Sequence, residues 1–378
     1  MDLNLTEDQQ LIRDAARAFL EEQCPPAHVR AMETDERGYS PERWKGMAEL
    51  GWMGIAYPEA LGGVGSGFLE LCLLIEEHGR FRMPGPFFST VVLCGMAIAR
   101  FGSMKQKQEL VPAIASGDRI LAYAESEANA SWDAPGIEMT ARAEGPDYIL
   151  TGTKRFISYA NAADTLLVVA RTGGKGEKGI TLFLVDTGSA GIDRQPLQTI
   201  AADHQYEVTF RDVRVPKIRV LGKPGKGWSV VEAIRQWGAA ARCAEMVGGA
   251  ERVLEMTLEY ARVRTQFGKP IGSFQAVQHH CANMAVDVLG ARFIAYEAIW
   301  RLSEGLEAAA EVSMAKAWVS DAYQRVCNLA HQVHGAIGFT REHDLQLYSR
   351  SAKAAELSFG DADYHREQVA RCVLGDSR

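Results

Sequence analysis

Apolar residues recur at helical spacing over roughly the first 115 residues, alternate between about 120 and 220, and return to helical spacing from Trp228 onward. A period near 3.6 marks amphipathic helices, and a period of two marks strands with one buried face. The predicted fold class is therefore α+β and multidomain. An N-terminal helical domain (1–118) precedes a middle β-barrel or sandwich domain (119–222), and a C-terminal four-helix bundle (223–378) follows.

Each element has its own signal. Thr6, followed by Glu7 and Asp8, starts a helix whose expected buried stripe is Leu11, Ile12, Ala15 and Phe19. Pro25 and Pro26 end it. Pro41 opens another helix, with Trp44 and Met47 on one face. The glycines from Gly62 to Gly67 read as a flexible connector, not a phosphate cradle, because no strand precedes them. Further helical patterns cover about 68–80 and 87–101. ILAYAESE, YILTGTKRFIS, TLLVVAR, ITLFLVD and YEVTFRDVRV are β-branched or aromatic runs separated by Gly and Asp, and read as strands. Beyond Trp228 three stripes follow: Val247, Ala250, Leu254, Leu258 and Ala261; then Val277, Cys281, Met284, Val288, Ala291, Ala295 and Leu302; then Val312, Ala315, Val319, Tyr323, Val326, Ala330 and Val333. Long helices with short connections predict an antiparallel bundle.

The chain has 378 residues, enough for two or three domains, and a net charge of −7 that argues against nucleic acid or an anionic membrane as the main partner. Its seven cysteines form no CxxC pair, and the odd number fits reduced thiols in a cytoplasmic protein. MDLNLTEDQQL lacks the basic start and apolar run of a secretory signal, and no stretch is apolar and long enough to span a bilayer.

The segment RTQFGKPIGSFQ (264–275) places Arg264, Phe267, a glycine turn and Gln275 between two long helical patterns. A cation, a ring and an amide at such a corner suit a ligand with phosphates and a flat heteroaromatic, of which FAD is one. Three further segments are TGTKRFIS (151–158), SEANASWD (126–133) and QVHGAIGF (332–339). His331 and His334 stand at i, i+3 beside the last, but a third ligand is missing, so no metal site is expected.

With these four segments in the chain order 126–133, 151–158, 264–275 and 332–339, the chain resembles the acyl-CoA dehydrogenase family over essentially its whole length. They are similar to the family's TEPxAGSD, NGxKxWIT, RxxFGxxIxxxQ and QxxGGxGF. The resemblance implies three domains, a tetramer, bound FAD, an acyl-CoA substrate, and transfer of electrons to electron-transfer flavoprotein. It implies that Arg264 neutralises the FAD pyrophosphate and Phe267 packs on the adenine side, both from a neighbouring subunit, and that Gln275 bonds the cofactor from the start of the next helix. Gln332, Gly335 and Ala336 would approach the adenosine and pyrophosphate. Ala336 stands where the family has its second glycine. Ser126, Phe156 and Ser158 would meet the flavin ring from positions where the family has threonine, tryptophan and threonine. Ala128 replaces a proline, and Trp132 replaces a serine that contacts cofactor or CoA.

The resemblance also implies α,β-desaturation, in which a carboxylate takes the α-proton while hydride leaves for the flavin. The usual position of that base, in AKAAELSFGDADYHRE, is Phe359, and the alternative position on the first bundle helix is Gly238. Neither residue can take a proton. Asp361, two residues on, is one candidate base, with a contact to FAD as its other expected role. Glu245 is a second, about 10 Å further along the helix from Gly238, with Arg242 as an available partner. Arg242 is alternatively a candidate for binding the far carboxylate of a diacid thioester. The third explanation is a partner. FGDADYHRE resembles bacterial members that form heterotetramers in which another chain supplies the base. The expected assembly is thus a homotetramer or a heterotetramer with a related chain. Oxygen-dependent oxidation on the same scaffold is a further reading.

Overall fold

The computed structural model describes residues 4–375, so the first and last three residues of the predicted domains lie outside the described residues. Helices come first: α1 (Glu7–Gln23), α2 (Pro26–Met32), α3 (Pro41–Glu49), α4 (Phe68–Phe81), a π-helix (Phe88–Gly95) running into α5 (Met96–Phe101), and α6 (Met104–Ala115). Strands follow: β1 (Leu121–Ala124), β2 (Thr140–Glu144), β3 (Asp147–Ser158), β4 (Thr165–Arg171), β5 (Ile180–Asp186), β6 (Ile192–Leu197), β7 (Gln205–Pro216) and β8 (Val220–Leu221). The long α7 (Trp228–Val263) leads through β9 (Thr265–Gln266) and β10 (Lys269–Pro270) to α8 (Gln275–Ser303), α9 (Ala309–His334), α10 (Leu345–Leu357) and α11 (Ala362–Leu374). No helix among the described residues is long and apolar enough to cross a membrane. The chain forms two compact units, one of Met1–Val29, Phe68–Met83 and Ala239–Arg378, the other of Arg30–Gly67 and Pro84–Gly238.

The first unit is helical. Thr6 caps α1 through a capping box: its hydroxyl accepts from Gln9 N, and the Gln9 side chain accepts from Thr6 N. The buried residues of α1 are Ala16 and Leu20, whereas Leu11 is exposed, so the expected stripe is rotated. The cause is polar: Arg17 binds the fully buried Glu77 of α4 through two hydrogen bonds (3.0 and 2.6 Å), and Gln9 donates to Glu70 at 2.8 Å. Apolar counting assigns such residues to solvent. The α8 and α9 stripes hold better: Met284, Val288, Ala291 and Ala295, and Val312, Ala315, Val319, Tyr323, Val326 and Ala330, are all buried. On α7, Val253, Met256 and Thr257 join Val247, Ala250 and Ala261 inside, while Leu254 and Leu258 are half-buried. Backbones meet where α4 crosses α7. A Cβ on Gly79 would lie 1.9 Å from Glu245 O, and one on Gly248 1.9 Å from Glu76 O.

The second unit carries a single eight-stranded sheet of order β6-β7-β3-β2-β4-β5-β8, with β1 pairing in parallel with β4. β4 and β5 are buried on both faces, as their unbroken apolar runs require. The sheet curls: Tyr148 on β3 meets Phe183 on β5 edge-on at 5.1 Å, though β2 and β4 separate them in the ladder. β2 (TARAE) and β6 (IDRQPL) join the expected strands; β2 is mostly exposed, β6 is mostly half-buried, and neither alternates large apolar with polar residues, which hid them. The Gly62–Gly67 connector is not loose. Val64 N, Gly65 N and Ser66 N bond Gly54 O, Tyr57 O and Ile55 O, and a Cβ on Gly63 would lie 2.2 Å from Tyr57 O.

Candidate functional site

In the β unit, the end of β1 lies beside a bulge in β3. The β3–β7 register slips between Lys154 and Ile157, and Arg155 N donates to Ser126 O at 2.9 Å. At the bulge Phe156 takes φ +55° and is 61% exposed. A bulky residue in this left-handed region costs about 1–3 kcal/mol and presents its ring outward only because the surroundings hold it there. Ser158 Oγ accepts from Gln205 Nε2 at 2.8 Å. Ser126, Phe156 and Ser158 thus stand on neighbouring strand ends. Trp132 packs over the Arg235 guanidinium at 5.4 Å, and Trp228 flanks the same guanidinium at 4.8 Å. Arg235 Nε donates to Glu125 Oε1 at 2.6 Å. No motif in the sequence marks Arg235, because its partners Glu125 and Trp132 lie more than 100 residues away along the chain.

In the helical unit, the corner between α7 and α8 is a two-residue hairpin. β9 and β10 pair around Phe267 (φ +54°) and Gly268 (φ +78°), the two positive φ values of a type I′ turn. Phe267 is 91% exposed, and Arg264 is exposed beside it. Phe274 meets Phe267 edge-on at 6.1 Å and carries Lys269 Nζ 4.5 Å from its ring centre. Phe274 is also the N-cap of α8 and makes no side-chain cap bond, so α8 opens at exposed Gln275 with no capping side chain. A guanidinium, an ammonium, one exposed ring with a half-buried ring beside it, and an uncapped helix start suit an anion with a flat ring attached.

Gln332 lies exposed near the end of α9, which stops at Gly335 with φ 66° and ψ −146°, a conformation close to glycine-only. A Cβ on Gly335 would meet nothing within 4 Å, so the backbone, not crowding, requires glycine there. Ala336 is exposed next to it. His331 stacks on Phe339 at 4.3 Å, and His334 stacks on Tyr260 at 4.5 Å and donates to Ala330 O. Burial, chiefly, pushes both imidazoles below their ordinary pKa. No group of three or more His, Cys, Asp or Glu among the described residues could hold a metal.

No carboxylate occupies either position of the expected base. Phe359 stands at φ +60° in a turn clamped through its backbone. His365 Nε2 donates to Phe359 O at 2.9 Å, and Lys316 Nζ donates to Gly360 O (2.9 Å), Glu356 O (2.8 Å) and Ser320 Oγ (3.2 Å). Burial lowers Lys316 to about 8 and His365 to about 4. Asp361 is the N-cap of α11, its Oδ1 accepting from Tyr364 N at 2.8 Å. Gly238 is buried within α7, and Glu245 forms an ion pair with Arg242. Lys316 and His365 were missed because buried, fully bonded polar groups look like surface residues in a sequence.

The residues present fit a dinucleotide. The helical unit offers cations and an open glycine turn, and the β unit offers an outward ring, with hydroxyls on neighbouring strand ends. The chain matches the acyl-CoA dehydrogenase N-terminal domain over residues 6–118, the middle domain over 122–213 and the C-terminal domain over 225–374. It is 33% identical over 382 residues to the probable acyl-CoA dehydrogenase YngJ of Bacillus subtilis, covering 99% of this chain and 100% of that protein. A chain of the ChsE4-ChsE5 complex from Mycobacterium tuberculosis superposes with a TM-score of 0.91 at 32% identity, over 100% of both chains. The FAD complex of PigA superposes with a TM-score of 0.91 at 28% identity, over 99% of each chain. This chain therefore belongs to the acyl-CoA dehydrogenase family, FAD-binding oxidoreductases that act on CH–CH groups.

Proposed function

We propose that this protein serves the α,β-desaturation of an acyl-CoA thioester as a cofactor-holding subunit, beside a related chain that supplies the base. Electrons would pass to electron-transfer flavoprotein. One observation carries the reading. Both base positions are filled by Phe359 and Gly238, and the two candidate carboxylates are engaged, Asp361 as a helix cap and Glu245 with Arg242. That a relative of similar fold occurs in the ChsE4-ChsE5 complex supports a second chain.

Bound FAD would supply the hydride acceptor. On this chain Arg264 would neutralise the pyrophosphate by charge-assisted hydrogen bonds, and Gln275 would donate beside it. Phe267 would cover the adenine side, and Gln332, Gly335 and Ala336 would line the adenosine. Ser126 and Ser158 would offer hydroxyls to the ring, and Phe156 would shield its face from water. The exposure of Phe267, Arg264, Gln275 and Gln332 supports their donation across a subunit interface.

The purified chain, loaded with FAD and mixed anaerobically with a panel of saturated acyl-CoAs, is expected to keep its visible flavin band. Adding a related chain that carries the glutamate should bleach it. Bleaching by this chain alone would overturn the partner reading. A second reading has an observation in its favour: Asp361 lies on the same turn as Phe359, so a homotetramer using Asp361 as a shorter base is the competing assignment.

A further inference from the structure

Lys154 is completely buried in the bulged strand, two residues before Phe156. Its ammonium donates to Glu125 O at 2.8 Å and to Glu127 Oε1 at 2.6 Å. The Glu127 carboxylate, only 8% exposed, also accepts from Glu138 N (3.0 Å) and Met139 N (3.1 Å). Arg155 adds a third tie to the same segment, its N–H donating to Ser126 O, while its guanidinium holds Glu207 on β7 at 2.5 Å. Residues 125, 126 and 127 are therefore each bound, one after another, by Lys154 and Arg155. Burial draws the Lys154 amine below its ordinary pKa, although Glu127 beside it acts the other way. A charge pair this deep is a weak source of stability, since well-packed apolar groups do as well. A left-handed phenylalanine, however, persists only where its neighbours over-determine the backbone.

We propose that Lys154 and Glu127 are positioning residues for the flavin: they lock the end of β1 to the β3 bulge, so that Ser126 and Phe156 face the ring system together. This rests on the reading that Ser126 and Phe156 face FAD. The ammonium and carboxylate do not touch the cofactor; they act through the two segments they join.

The test uses the FAD-loaded full chain and reads FAD affinity by fluorescence titration, the band shape of the bound flavin, and Tm. Lys154→Met leaves the Glu127 carboxylate buried without its cation, so Tm is expected to fall. The double variant Lys154→Met/Glu127→Gln removes both charges, so Tm should largely recover. FAD affinity in the double variant should nevertheless drop about tenfold, with an altered band shape. A double variant with wild-type affinity and band shape would overturn the proposal. Glu127→Gln alone keeps an acceptor for Lys154 and serves if the double variant does not fold. It should weaken FAD several-fold, and wild-type binding there also counts against the clamp. Phe156→Ala separates the two readings. If it leaves the bound-flavin spectrum unchanged, the placement of the ring is wrong. If it changes the spectrum while the double variant does not, only the clamp is wrong.

Discussion

At the residue scale the turn from Phe359 to Asp361 bears most on the proposed chemistry. Its backbone is held from behind, by His365 at Phe359 O and Lys316 at Gly360 O, so the turn does not depend on which side chain stands at 359. Phe359→Glu is therefore expected to place a carboxylate at the base position without rearranging the loop. The measurement is anaerobic reduction of the bound flavin by acyl-CoAs with this variant alone. A variant that folds and binds FAD, yet is never reduced across a broad panel, would show that the missing carboxylate is not what limits the chain. Asp361 is tested by its own chemistry. Asparagine caps a helix about as well as aspartate, so Asp361→Asn should keep stability within a few tenths of a kcal/mol, whereas Asp361→Ala should cost about 1 kcal/mol. If the partner reading is right, Asp361→Asn also leaves turnover of the reconstituted assembly intact. Abolished turnover with unchanged Tm would instead make Asp361 the base.

At the scale of elements, the crossing of α4 and α7 is set by glycines. Gly79 and Gly248 let the two backbones approach until a carbonyl oxygen sits where a Cβ would be, at 1.9 Å in both cases. No rotamer change relieves a clash with backbone. Gly248→Ala is expected to destabilise the protein by about 3 kcal/mol, read as a lowered urea midpoint, because the helices must separate and expose packed surface. A loss below about 0.5 kcal/mol would mean that the crossing is looser than it stands here. Elsewhere in the bundle, α8 leaves Val286, Leu289 and Phe293 exposed, and α9 leaves Met314 and Trp318 exposed. Spaced at i, i+3 and i+7, the α8 residues form a helical stripe that its own unit does not cover, as expected of a chain that works in an assembly. The element pattern was legible wherever burial and hydrophobicity agree, as along α8, α9, β4 and β5. It failed on α1, where Arg17 faces Glu77, and on β2 and β6, which carry no alternation of large apolar residues.

At the scale of the whole molecule, acid stability follows from buried imidazoles. His78 and His365 are buried, and burial holds both at about 4, against an ordinary value near 6.5. The unfolded chain therefore binds more protons between those values. The stabilisation is complete above pH 6.5 and is lost as pH falls toward 4, by up to about 3 kcal/mol for each histidine. Glu76 has the opposite sign. Burial raises its carboxyl against Arg292 and Tyr296, so its contribution is complete below the ordinary carboxyl value and fades as pH rises through the raised one. The expected result is a falling urea midpoint between pH 6.5 and 4.5, flatter in His78→Gln/His365→Asn. A wild-type midpoint independent of pH in that window would contradict the burial of these rings.

The order of helical, β and helical segments, the residue types at the cofactor motifs, and the absence of a carboxylate at 359 and 238 were determined by the sequence alone. Periodicity and residue identity are local properties, readable in a short window. Only the tertiary structure decided that Phe156, Phe267 and Phe359 all stand at positive φ, that Asp361 is a cap, and that Lys154 and Lys316 are interior cations. Those facts depend on partners far along the chain, 27 residues away for Lys154 with Glu127, 44 for Lys316 with Gly360 and 60 for Arg17 with Glu77. A buried charge or a strained backbone is stable only when such partners arrive, and no local window contains them.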